Sequence, residues 1–226
     1  MKALVLFSGG LDSSTCLAMA VEKYGAAQVL ALFCYYGQKH IREEESAELV
    51  ASHYGVRLEK LDLSVIFRNS DCSLLEHSEK EIPLDSYDDQ LKKNPGSPVS
   101  TYVPFRNGLF LSAAASVALS FGCSEIFYGA HADDAAGNAY PDTSVAFNEA
   151  IAKAVFVGSG NALTVTAPFI SATKAQVVKK GLELKVPYEK TWSCYLGGKT
   201  PCGKCRTCLD RISAFSANGV RDPLTC

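Results

Sequence analysis

The stretch Lys2-Ala3-Leu4-Val5-Leu6-Phe7-Ser8-Gly9-Gly10-Leu11-Asp12-Ser13-Ser14 carries the reading of the whole chain. Its first half is a short, unbroken apolar run, as expected of a strand buried on both faces of a sheet. Residues 12–23 follow as a helix, with Leu11, Thr15, Ala18, Met19 and Glu22 on a mixed stripe and Gly25 as the stop. At the junction, Gly9 and Gly10 let the backbone approach an anion closely, and Ser8, Ser13 and Ser14 add hydroxyl donors. The helix start supplies free N–H groups and a positive dipole end. The junction reads as a phosphate cradle. It lacks the lysine of G-x-x-x-x-G-K-S/T and the spacing of G-x-G-x-x-G. A bare Gly-Gly would serve equally well in a tight turn capped by Asp12; the full Ser-Gly-Gly-x-Asp-Ser-Ser string favours the cradle.

Working outward, residues 28–36, 56–63, 125–129 and 162–167 read as further strands, and residues 40–54, 105–121, 142–156, 174–184 and 207–215 as helices. Alternation of this kind predicts an α/β fold with a doubly wound parallel sheet, whose ligands bind beyond the carboxyl ends of the strands at the switch point. Helix 105–121 is Ala-rich and apolar, and is expected to be buried. Residues 64–103, polar and broken by Pro83, Pro95 and Pro98, read as an irregular insertion that covers the site. The rim of that site then includes Tyr36, Gln38 and His40 after the second strand, Arg106 and Asn107 at the head of helix 105–121, and Asp133, Tyr140 and Asp142 after the fourth strand. Arg106 suits a carboxylate or phosphate, Tyr36 a flat heterocycle, and Asp133 and Asp142 the N–H donors of a guanine-like ring. Each has an ordinary structural use as well, such as Asp142 capping a helix.

With 226 residues, 47% hydrophobic and 20% charged, the chain can build one substantial core. A net charge of -2 argues against an extended nucleic-acid surface. No apolar run approaches the ~20 residues of a membrane span, and the first run stops at Ser8 without a cleavage pattern, so it is read as a strand and not a signal peptide. There are nine cysteines, among them Cys226, and a reducing, cytoplasmic setting is expected. Cys194-x7-Cys202-x2-Cys205-x2-Cys208 predicts a closed four-thiolate zinc site, structural and one per chain. An iron–sulfur cluster and a redox pair are its competitors. Lys199, Lys204, Arg206 and Arg211 are available to offset the thiolate charge. Residues 1–190 read as the α/β domain and 191–226 as a metal-binding segment packed on it.

The loop at 8–14 resembles the signature of the PP-loop ATP pyrophosphatases, which grip the pyrophosphate of ATP while a substrate oxygen attacks the α-phosphorus. The resemblance implies ATP-binding by Ser8, Gly9, Gly10, Leu11, Asp12, Ser13 and Ser14, with Asp12 holding Mg2+ and Lys174 as the later basic residue that reaches the phosphates. Asp12, Lys174 and Arg106 are the candidate catalytic residues. Nearly end to end, the chain is similar to the 7-cyano-7-deazaguanine synthase (QueC) family. That likeness rests on the loop, Tyr36-Gly37-Gln38-x-His40, Pro104-x-Arg106-Asn107, Tyr140-Pro141-Asp142, and the four cysteines preceded by Thr191-Trp192-Ser193. It implies a Rossmann-like, adenine nucleotide hydrolase-like fold, a zinc site, a homodimer, and conversion of 7-carboxy-7-deazaguanine and ammonia to the nitrile by two successive adenylations with ATP.

One position departs from the family pattern. Where members commonly carry Cys and then a polar or basic residue, this chain has Thr143-Ser144. A related ligase that passes the same acyl group to another amine, for example on a protein, is therefore an alternative. A PP-loop tRNA thiolase is a second, disfavoured by the net charge and the closed cysteine spacing.

Overall fold

The computed structural model describes residues 1–226 apart from 94, 136–138 and 225–226, so that Cys226 lies outside the described residues. Five strands, β1 (Ala3–Leu6), β2 (Val29–Tyr35), β3 (Arg57–Asp62), β4 (Glu125–Phe127) and β5 (Thr164–Thr166), form one parallel sheet in the order β3-β2-β1-β4-β5. The helices are α1 (Leu11–Tyr24), α2 (Arg42–Tyr54), α3 (Tyr87–Lys93), α4 (Arg106–Ser120), α5 (Ala132–Ala135), α6 (Val145–Gly158), α7 (Lys174–Glu183) and α8 (Arg206–Ser216). The chain runs outward from β1 to β3, then returns to place β4 on the other side of β1. The switch point therefore lies between the carboxyl ends of β1 and β4.

Side chains alternate across each strand. Ala3, Val5 and Phe7 meet Leu17, Ala47, Val177 and Phe215 from α1, α2, α7 and α8. Leu4, Leu30 and Leu32 meet Leu111, Ala114 and Ala118 of α4, and Val155 of α6. Both faces of the central strands β1, β2 and β4 are covered, as their unbroken apolar sequences require, while the edge strands β3 and β5 are partly exposed.

Two expectations change. Helix α4 is not buried throughout: Gly108, Leu111, Ala114 and Ala118 are buried and Phe110, Ala115 and Val117 partly so, while Phe105 before it and Leu119 are 57% and 44% exposed. Alanine is apolar but small, so an Ala-rich sequence does not say how many faces of a helix are covered. The helix expected over 142–156 is split: Pro141–Thr143 is a 3-10 turn, and α6 starts after Ser144, whose hydroxyl accepts from Phe147 N.

The insertion at 64–103 is more ordered than its composition implies. It contains a 3-10 turn at Ser64–Phe67 and α3, is bridged antiparallel from Leu75 to Gln38, and buries Phe67, Leu74, Leu75 and Val103 against Tyr36. Residues after 190 are joined to the main core, because α8 sends Ala214 and Phe215 into it. Arg211 is engaged otherwise than expected. It is 2% exposed, and donates to Asp222 Oδ2 at 2.9 Å, Thr191 Oγ1 at 2.7 Å and the Tyr188 carbonyl at 2.9 Å. A buried cation needs such a complete set of partners, so Arg211 ties the C-terminal segment down; Arg206 likewise pairs with Asp210. No helix among the described residues is long and apolar enough to cross a membrane.

Candidate active site

A cleft of about 250 Å³ opens at the switch point. Ser8, Gly10, Asp12 and Ser13 line it. Gly9 instead faces α2 at φ +76°, where an added Cβ would stand 2.4 Å from Ala47 N and 2.6 Å from the Glu43 carbonyl oxygen. Only glycine lets the loop lie this close under α2. Leu11 is core and Ser14 is fully buried, so their part in the loop falls to the backbone. Helix α1 starts from Gly10 with no side-chain cap, which leaves its first N–H groups for a ligand. Gly129, beyond β4, presses against this start: a Cβ there would lie 3.0 Å from Asp12 C.

That close approach brings the loop after β4 to Asp12. Lys174 Nζ stands 3.1 Å from Asp12 Oδ2, and His131 Nε2 is 3.5 Å from Lys174 Nζ and 3.4 Å from Asp134 Oδ2. Lys174 holds its place because Thr173 and Gln176 form a capping box at the head of α7, and because Lys174 N donates to Asp133 Oδ2 at 2.8 Å. Burial works against the Asp12 carboxylate, but Lys174 and His131 outweigh it and hold its pKa below the usual range. The same balance keeps Lys174 raised, with Asp12 and Asp134 outweighing burial, so this pair is ionic. Asp134 is pushed up by burial. Asp12 Oδ1 is buried, 3.8 Å from His131 Nε2, and accepts no hydrogen bond among the described residues.

On the far side, Arg106 lies over the Tyr36 ring at 5.1 Å and donates to its hydroxyl at 3.2 Å. Phe105 precedes it in the left-handed region at φ 53°, its N–H donating to Tyr102 Oη. Arg106, Asn107, Tyr36, Tyr140 and Thr143 all line the cleft. Tyr140 is braced by Thr101 Oγ1 at 2.6 Å and by the Tyr195 hydroxyl at 3.4 Å.

Four expected rim residues stand behind the cleft wall instead. Asp133 caps α7, and it is Asp134 that faces the cleft. Gln38 folds back to accept from Tyr36 N at 2.9 Å. His40 packs on Gly197, and burial lowers its pKa. Asp142 is 3% exposed, and its Oδ2 accepts from Asn107 N at 2.8 Å, so it caps α4 and not the helix α6 that follows it. The residue that turns inward there is Thr143, whose hydroxyl donates to the Tyr140 carbonyl at 2.7 Å. Asp142→Ala should therefore cost about 1 kcal/mol, in the range for a lost cap, and lower Tm by about 2–4 °C. Calorimetry checks this, and an unchanged Tm would contradict the capping role. Sequence reasoning missed Glu43, Asp134, Tyr195 and Thr207, which all line the cleft. Of these only Tyr195 had a local signal, an aromatic directly after the first cysteine of the four-cysteine cluster.

Cys194, Cys202, Cys205 and Cys208 bring their sulfurs within 4.8 Å of one another and can hold a metal ion. Backbone N–H groups of Cys202 and Cys205 point at Cys194 Sγ and Cys202 Sγ, at 3.4 and 3.2 Å. The knuckle adjoins the glycine-serine loop: Trp192 N donates to the Gly9 carbonyl at 3.1 Å, and Trp192 Nε1 to the Cys194 carbonyl at 2.8 Å.

A glycine-serine loop opening a helix at the switch point, with a lysine from a later helix closing on its aspartate, marks the PP-loop class of α/β proteins, and this chain has that architecture. A family model described as queuosine biosynthesis protein QueC matches residues 2–219, and the chain belongs to that family. Proteins named 7-cyano-7-deazaguanine synthase are similar over 99% of this chain: 44% identical in Archaeoglobus fulgidus over 90% of that protein, 42% in Thermoplasma acidophilum over 91%, and 39% in Caldicellulosiruptor bescii over 96%. Among solved structures, a U34-tRNA thiolase from Methanococcus maripaludis with its 4Fe–4S cluster matches 97% of this chain and 66% of its own, at a TM-score of 0.50 and 15% identity. Likeness at that level shows the fold alone.

Proposed function

We propose that the chain converts 7-carboxy-7-deazaguanine and ammonia to 7-cyano-7-deazaguanine with two ATP, releasing AMP and pyrophosphate twice. The carrying observation is the match to 7-cyano-7-deazaguanine synthases over nearly the whole chain, combined with an ionic Asp12–Lys174 pair at the mouth of the phosphate loop. A carboxylate is a poor electrophile. Adenylation makes it a mixed anhydride that ammonia attacks to give an amide, and a second adenylation on the amide oxygen permits elimination to the nitrile.

The chain contributes position and charge. The loop 8–14 and the first turn of α1 grip the pyrophosphate, and Lys174 neutralises it as it leaves. The orphaned Asp12 Oδ1, with Asp134 beside it, fits a hard cation. These two would hold Mg2+, which when bound neutralises phosphate charge. Arg106 meets the acid, with Tyr36, Asn107, Tyr140 and Thr143 around the heterocycle, while Gln38, His40, Asp133 and Asp142 support them from behind. The Thr143 hydroxyl is already engaged to its own backbone, so Thr143→Cys should keep nitrile formation; conversion of an amide-forming protein to a nitrile-forming one would favour the ligase alternative.

We further assign zinc to the thiolate knuckle. A four-thiolate zinc site with Zn–S near 2.3 Å places its sulfurs about 3.8 Å apart, and Cys202 Sγ and Cys208 Sγ are 3.9 Å apart. A cubane cluster seats each thiolate on a separate iron and spreads the sulfurs wider. Residues 191–226 act as a segment of the α/β unit, in the cytoplasm. A homodimer is the assembly that the family resemblance implies. The deciding experiment is ATP–pyrophosphate exchange with and without 7-carboxy-7-deazaguanine, followed by mass spectrometry of the product with ammonium. Exchange that ignores the acid, or a product that stops at the amide, would refute the reading.

A further inference from the structure

Glu43 is the cleft carboxylate without a role in the chemistry above. It stands half-buried in the first turn of α2, and its backbone carbonyl presses on Gly9, which sets it at a fixed reach from the phosphate loop. Its neighbours turn away: Glu44 pairs with Lys60, and Glu45 with Arg42. No hydrogen bond or ion pair engages the Glu43 carboxylate among the described residues, and the charge that acts on it is Arg106 across the cleft. The other titratable group facing it is the Tyr36 hydroxyl. Arg42, next in sequence, is spent on Glu45 and the Gly198 carbonyl and lies over the Trp192 ring. Asp12 and Lys174 are engaged with each other.

The proposed reaction has proton transfers that none of the assigned residues performs. Lys174 and Arg106 are cations, and Asp12 is ion-paired. We propose that Glu43 is the general base of the two nitrogen steps, an assignment that rests on the synthase reading above. In the first step the C–N bond forms at the acyl adenylate, the C–O bond to AMP breaks, and a proton from the attacking nitrogen goes to the Glu43 carboxylate. In the second, adenylation of the amide oxygen leaves a C=NH2+ group. Its two protons pass in turn to Glu43, and on to solvent, as the C–O bond to the second AMP breaks and C≡N forms. Burial raises Glu43 to about 7, with Arg106 pulling the other way. A base is most effective with its pKa near the working pH. The group acts as carboxylate, so the nitrogen steps should speed up as pH rises through about 7 and level off above.

The test is E43Q, which keeps the shape and removes the base. Ammonium-dependent product formation should fall by roughly 10²–10⁴-fold, the usual worth of a general base. Acid-dependent ATP–pyrophosphate exchange, which needs no nitrogen, should fall far less, so that the ratio of product formation to exchange drops at least about 100-fold. The rising limb in single-turnover amide formation, measured at constant free ammonia from about pH 6 to about pH 8, should vanish in E43Q and persist in E43D. Product formation and exchange falling in parallel, or a limb retained by E43Q, would overturn the assignment in favour of a loop-holding role. If E43Q does not fold, the wild-type profile decides: a flat profile at constant free ammonia overturns it, and a limb near 7 that E43D retains supports it. Absence of acid-dependent exchange in the wild type would instead refute the synthase reading, which separates the two failures.

Discussion

Asp12→Asn should reduce acid-dependent ATP–pyrophosphate exchange by on the order of a thousandfold, the upper range for removing one preorganised electrostatic contact, while the protein stays folded. The structure sharpens why. Asp12 is not the cap of α1, since Gly10 holds that position without a side-chain bond, so the fold does not depend on its carboxylate for capping. What the substitution removes is a buried negative charge whose Oδ2 lies 3.1 Å from Lys174 Nζ and whose Oδ1 lies 3.8 Å from His131 Nε2, with no hydrogen bond to Oδ1 among the described residues. Asparagine can still accept from Lys174 through its amide oxygen, but it offers no charge to a divalent cation. Lys174 would keep Asp134 as its acidic neighbour. Thermal unfolding and exchange measured on the same preparation check both halves. Exchange near the wild-type rate at saturating Mg2+ would remove Asp12 from the site, and a collapsed Tm would make it structural.

How much of this site could be read from sequence depends on whether its geometry is local. The Ser8 to Ser13 loop is local: a doubly buried strand, two glycines and a helix start define it without reference to the rest of the chain, and the structure leads that loop into the cleft. The cysteine knuckle is local for the same reason, with three ligands inside seven residues. Lys174 was reachable because a strand end and a helix start place it on the rim. The choice between Asp133 and Asp134 was not, because α5 is a single turn on which adjacent residues point apart, one toward α7 and the other into the cleft. Asp142 shows the same limit in another form. An aspartate after proline does read as a cap, but which helix it caps depends on how two loops meet in space. Glu43 had no legible signal at all. It belongs to a run of three glutamates at the start of an amphipathic helix, and only the folded cleft, which Glu43 lines while Glu44 and Glu45 pair elsewhere, tells one of the three from the others.

Cys205→Ser should remove the bound metal and with it much of the stability of the C-terminal segment. Cys205 is fully buried, begins α8 and has the Thr207 hydroxyl 3.3 Å from its sulfur. A serine there offers no thiolate, and three remaining sulfurs leave the tetrahedral site open. Structural zinc contributes about 10–16 kcal/mol of apparent binding energy in small zinc modules. A typical domain has only about 5–15 kcal/mol of net stability, so even a fraction of that binding energy is decisive. The damage would not stay at the knuckle. Helix α8 carries Phe215 into the core under β1, and Arg211 on the same helix needs Tyr188, Thr191 and Asp222 in place to stay buried as a cation. The strand of chain between them supplies the Trp192 N–H that holds the Gly9 carbonyl. Metal loss should therefore appear first as poor soluble yield and a Tm lowered by ten degrees or more, on the order expected when several kcal/mol are lost. In whatever protein survives, weaker ATP binding should follow, because the phosphate loop has lost a tether. Elemental analysis beside calorimetry reads the outcome. One zinc per chain in the wild type and none in the variant, with the Tm drop, supports a structural centre. Iron with visible absorption in the wild type would replace zinc by a cluster, and a variant that keeps both metal and Tm would take Cys205 out of the ligand set.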